Sequence, residues 1–131
     1  MEEDIECNCS GKELLIFVCS GGCNVGQLAN DAARQLSAEG IGKMACLSAV
    51  AGGVSMAIAG AKEAKDLLVI DGCPVQCARK TLEKAGLKPT IHLLVTDLGL
   101  KKVDDTNYPQ EMLTAIKRSA VEELRKRPRP K

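Results

Sequence analysis

Seven cysteines and a single histidine stand in 131 residues, a thiol-rich inventory for a chain of this length. Thiolates are nucleophiles and soft metal ligands, so cysteine spacing is the first thing to read. The densest arrangement is Asp71-Gly72-Cys73-Pro74-Val75-Gln76-Cys77. Leu67-Leu68-Val69-Ile70 before it reads as a buried parallel strand. Pro74 suits the first position of a helix, and Leu82, Ala85 and Gly86 complete a helical pattern with its stop. Cys73 then sits where strand turns into helix, with Cys77 one helical turn on. Residues four apart share a helix face, and a helix N-terminus favours thiolate over thiol. The spacing predicts two thiolates converging on one spot.

The elements that position them alternate strand and helix. Leu14–Val18 reads as the first buried strand, running into Cys19, Ser20-Gly21-Gly22 and Cys23. Val25 to Glu39 follows as a helix with an apolar stripe (Val25, Leu28, Ala29, Ala32, Ala33, Leu36), Asn24 as cap and Gly40 as stop. A second strand is expected over Lys43 to Leu47, containing Cys46, and after Gly52-Gly53 an Ala-rich helix over Val54 to Lys65. Ile91 to Val95 makes a fourth strand leading into Thr96-Asp97-Leu98-Gly99, and Pro109 opens a last helix. This pattern predicts an α/β fold: a single-domain three-layer sandwich of about four parallel strands, order 2-1-3-4, with helices on both faces. Cys19, Cys46 and Cys73 recur at equal intervals (46 − 19 and 73 − 46 are both 27), one strand-plus-helix unit each. They therefore occupy the carboxyl ends of successive strands, around the crevice where such sheets bind ligands. One cysteine at a strand end is an ordinary small core residue. Three, with Cys77 beside them, make a shared site.

These residues resemble a known family. Cys19-Ser20-Gly21, Gly26, Ala29-Asn30, Ala33-Arg34, Gly40, Lys43-Met44, Cys46-Leu47, Gly52-Gly53, Asp71-Gly72-Cys73-Pro74, Cys77 and Thr96-Asp97-Leu98-Gly99 are similar, in order and spacing, to the zinc-binding DGC family, named for its Asp-Gly-Cys motif. The resemblance spans about Leu14 to Lys102 and implies that Cys19, Cys46, Cys73 and Cys77 are zinc ligands. Ser48-Ala49 departs from the glycine expected after the second cysteine, and Cys23, Cys7 and Cys9 lie outside the pattern as auxiliary thiols. Four thiolates suit tetrahedral zinc, and equally an iron–sulfur cluster or copper(I). Asp71 is placed to accept hydrogen bonds beside the ligand loop. The implied function is zinc binding in metal handling or sensing. A thiol redox enzyme or sensor using the same cysteines, and an interaction module stiffened by a structural zinc, stand as alternatives.

Other classes are disfavoured. A cysteine phosphatase loop needs an Arg six residues after its Cys, where this chain has Val25. With a net charge of +1, one Phe, one Tyr and no Trp, neither a basic field nor base-stacking platforms point to nucleic acid, and no 18-residue apolar run points to a membrane. A cytoplasmic location is expected, with a metal ion as the partner. Residues 1–13 read as an acidic flexible leader holding Cys7-Asn8-Cys9, 14–124 as the domain, and 125–131 as a basic disordered tail. His92 is expected at the pole opposite the cysteines. Asp97 and Lys101 or Lys102 are expected to line the crevice, and Asn24 and Gln27 to serve capping and helix-surface roles.

Overall fold

The structure, a computed structural model, describes residues 14–127. Four parallel strands, β1 (Leu14–Val18), β2 (Lys43–Met44), β3 (Asp66–Asp71) and β4 (Ile91–Leu94), form one sheet in the order β2-β1-β3-β4. Five helices surround it: α1 (Asn24–Ala38), α2 (Leu47–Ala51), α3 (Ser55–Glu63), α4 (Cys77–Lys84) and α5 (Gln110–Arg125). The expected fold class and strand order are those observed.

The apolar strands β1 and β3 carry the core on both faces because their side chains alternate. Ile16, Val18, Leu68 and Ile70 point into one cluster with Val25, Leu28, Leu36, Leu113 and Ile116 of α1 and α5. Leu15, Phe17, Leu67 and Val69 point the other way, onto Val50, Ala57, Ala61, Ala78 and Leu82 of α2, α3 and α4. Small residues on α3 and α4 let these helices lie close to the sheet. Among the described residues no helix is long and apolar enough to cross a membrane.

Boundaries differ from the sequence reading in several places. The second strand stops at Met44 instead of running to Leu47, because Cys46 already caps α2. The helix expected from Val54 to Lys65 is preceded by a separate short helix. Gly53, in the left-handed region at φ 77°, breaks the two apart. The first helix begins at Asn24, with Cys23 at the cap position. At the end, Arg125 closes α5, and Arg127 Nη2 donates to Asp66 Oδ1 at 2.7 Å, so the expected basic tail starts as fixed structure. The leader with Cys7 and Cys9, and residues 128–131, lie outside the described residues.

Gly72 is where sheet and helix meet most closely. A Cβ there would lie 2.8 Å from both the carbonyl carbon and Cγ2 of Val25 and 2.9 Å from Gly26 N, and backbone cannot yield as a side-chain tip can. Gly72→Ala is expected to destabilise the domain by about 1–3 kcal/mol, read as a lowered denaturant midpoint with unchanged slope. An unchanged midpoint would show that α1 can move away from β3 at little cost.

Candidate functional site

The carboxyl edge of the sheet assembles the site. At the end of β1, Cys19 is half-buried and its Sγ accepts a 3.4 Å hydrogen bond from Gly72 N. The loop beyond it is held by Gln27, whose Nε2 donates to Gly21 O at 3.0 Å, and by Ser20 Oγ, which donates to Asn30 Oδ1 at 2.8 Å. Burial pushes the Cys19 thiol above its ordinary range, partly offset by the N–H groups of Gly21 and Gly72.

At the end of β2, Cys46 is exposed and its sulfur lies 3.3 Å from Ser48 Oγ. That hydroxyl, helped by the Ala49 N–H, holds the Cys46 thiol below its ordinary range. Ser48-Ala49, the departure from the family pattern, therefore supplies the groups that acidify this thiol. Cys19 and Cys46 line one cavity of about 340 Å³, together with Ser20, Leu47, Ser48 and Thr81.

At the end of β3 the chain does not run directly into a helix. Gln76 N donates to Cys73 O at 3.0 Å, Gln76 takes a left-handed φ of 59°, and α4 begins only at Cys77. Cys73 and Cys77 thus flank a turn, not one face of a helix, which corrects the helix start inferred from Pro74. The cause is Asp71. Its carboxylate, 1% exposed, accepts from Ala78 N at 2.8 Å and Arg79 N at 3.1 Å, capping α4 from across the turn. His92 Nε2 donates to the same carboxylate at 2.8 Å. His92 was expected far from the cysteines. Its ring instead reaches up β4 and supports the residue that fixes the Cys73–Cys77 turn.

Lys102 Nζ reaches Cys73 Sγ at 3.6 Å. The buried Asn24 places it there: Nδ2 donates to Lys101 O at 2.8 Å, and Oδ1 accepts from Val103 N at 2.9 Å. Asn24 is thus more than a helix cap, since it sews the segment after β4 onto α1. Asp97 is exposed in the short 3₁₀ turn Val95–Leu98. Cys23 is buried and packs into the α1–α5 side of the core. Among the described residues, no three of His, Cys, Asp and Glu gather closely enough to hold a metal ion with the side chains as they lie. The fold brings Cys19, Cys46, Cys73 and Cys77 to one edge without closing them into a cage.

Comparison with known proteins agrees with this architecture. The sequence profile of the DGC domain matches residues 15–120. The anaerobic and virulence modulator AnvM of Pseudomonas aeruginosa is 39% identical over 88 residues, covering 67% of each chain. No solved structure matches.

Thiol reactivity follows thiolate fraction and access, so Cys46 should alkylate roughly tenfold faster than Cys19 or Cys23 at neutral pH in the metal-free protein. Timed iodoacetamide labelling with peptide mass mapping reads the order. Cys19 reacting as fast as Cys46 would contradict the environments described above.

Proposed function

The chain belongs to the DGC domain family, and we propose that this protein binds a soft metal ion, zinc, through the thiolates of Cys19, Cys46, Cys73 and Cys77. One observation carries the reading: the connections leaving three parallel strands bring four thiols to one edge, two of them into a shared cavity. The donor chemistry fits, because sulfur ligands favour zinc and other soft ions. Asp71, at the start of the Cys73–Cys77 turn, has both oxygens occupied by α4 and His92, so it orients the ligand loop and leaves coordination to sulfur.

Bound zinc would supply the positive charge that four converging thiolates lack. Closing the site asks only the side chains and loops to move. Cys46, at the cap of α2, and Cys77, the first residue of α4, are exposed and would swing inward, while Cys19 and Cys73 stay anchored by Gly72 N and Lys102. An ion held by loops on a finished core can leave without unfolding the domain, which supports handling or sensing over a purely structural role. The relative is an anaerobic and virulence modulator, and that supports sensing.

A second reading rests on a separate observation, the pairing of an acidified, exposed Cys46 with a buried Cys19 around one cavity. Exchange with a low-molecular-weight disulfide would use it. Cys46 sulfur attacks and expels one small thiolate, then Cys19 expels the second, leaving a Cys19–Cys46 disulfide.

Protein purified anaerobically is expected to hold about one zinc per chain. Cys73→Ser or Cys77→Ser should weaken zinc by more than the roughly 10–100-fold that losing an outer hydrogen bond causes, while Cys23→Ser, altering a core thiol, leaves it nearly unchanged. Competition with a chromophoric chelator measures both. Metal-free protein that takes up no zinc, or Cys23→Ser losing it as fully as Cys73→Ser, would overturn the assignment.

A further inference from the structure

The large apolar side chains exposed among the described residues are Val54, Met56, Val75 and Val103, with Met56 at 61% and Val103 at 46%. Val54 and Met56 stand at the start of α3, while Val75 lies in the Cys73–Cys77 turn and Val103 in the segment after β4. Val75 and Val103 belong to loops that touch, through Lys102 Nζ and Cys73 Sγ at 3.6 Å. Two exposed valines on touching loops beside the thiols form an apolar spot that a second surface can cover.

The charges around Val103 say which. Residues 101–105 read Lys-Lys-Val-Asp-Asp, and all five are exposed. Asn24 locks the backbone at both Lys101 and Val103, so the segment is presented as a fixed ridge. Within one chain the two lysines and two aspartates do not neutralise each other. The ion pairs among the described residues involve none of them. Asp105 Oδ1 accepts from Asn107 N at 2.9 Å, which leaves Oδ2 available, and Lys102 has two further N–H groups beyond the one aimed at Cys73.

A two-fold axis through Val103 satisfies the whole ridge at once. Two copies lying antiparallel place Val103 on Val103, Lys101 opposite the second copy's Asp105, and Lys102 opposite its Asp104, with each pairing made twice. A sequence of two cations, an apolar residue and two anions is complementary to itself read backwards. We infer that this edge docks a second copy of the same chain, forming a two-fold dimer in which the thiol-bearing edges of the two protomers face each other. The inference goes beyond the metal reading and does not depend on it: the dimer forms with or without zinc.

Sedimentation equilibrium on the full, reduced chain, with chelator and separately with added zinc, provides the test. The parent chain should show a concentration-dependent dimer that weakens as salt is raised. Two variants, Lys101→Glu/Lys102→Glu and Asp104→Lys/Asp105→Lys, each set like charges face to face and should raise the dimer dissociation constant at least about tenfold. Mixed in equal amounts, they should recover the dimer, because each now offers the charges the other needs. Circular dichroism verifies that both are folded. Val103→Glu, a change at an exposed side chain that leaves the charge pairs intact, should also dissociate the dimer. A monomeric parent chain, variants that dimerise as well as the parent, or a mixture that stays monomeric would each overturn the inference.

Discussion

The Asp71 carboxylate, almost wholly buried at the end of β3, accepts hydrogen bonds from Ala78 N, Arg79 N and His92 Nε2. A buried carboxylate left unpaired costs several kcal/mol, so the surrounding chain must supply donors. Here the donors come from the first turn of α4 and from the neighbouring strand. One residue thereby ties three elements together and sets the path of the Cys73–Cys77 turn between them. Gly72 next to it has no side chain, so α1 can approach within van der Waals contact and the Gly72 N–H can face Cys19 Sγ. The Asp-Gly-Cys sequence is thus a small machine of three parts: a cap, a close contact and a thiol.

Around this point the fold brings together groups that repel when ionised. Thiolates gathered without a cation raise one another's proton affinity, and Cys19 feels both burial and the neighbouring Asp71 and Cys23. Cys46, which lines the same cavity, is eased towards thiolate by Ser48 and Ala49. Asn24 delivers Lys102 to Cys73, the one cationic side chain in hydrogen-bonding reach of a described cysteine. The thiols sit in loops and at helix starts, while Leu15, Ile16, Phe17, Leu68 and Ile70 are fully buried between the helical layers. Each such side chain contributes roughly 1.5–3 kcal/mol on burial, which is what small metal-folded domains lack.

Much of this was legible in the sequence where local pattern decides structure. The apolar runs at Leu14–Val18 and Leu67–Ile70, the helical stripe of α1 and the equal cysteine spacing suffice for a parallel sheet with thiols at one edge. Contacts between distant residues were not legible. Pro74 signals a helix start, but a cap from Asp71, seven residues before Ala78, moves that start to Cys77. His92 looked remote because its partner is 21 residues away, on the adjacent strand. Asn24 reads as a cap because Asn caps helices, whereas its amide is spent on Lys101 and Val103, residues brought near only by the crossover from β4. β2 is shorter than its expected Lys43 to Leu47: Ala45 N still bonds to Ile16 O at 2.9 Å, but Cys46 already caps α2.

On the proposed reading, zinc would be held by loops on a core that stands without it. Amide exchange, with circular dichroism on the same samples, compares the zinc-bound protein with the reduced, metal-free protein. The account predicts that the helix and strand signals persist without metal and that amides of β1, β3, α1 and α5 remain protected. Faster exchange should be confined to the loops bearing Cys19, Cys46 and Cys73. Loss of protection throughout the sheet on zinc removal would contradict it, and would make the metal part of the fold.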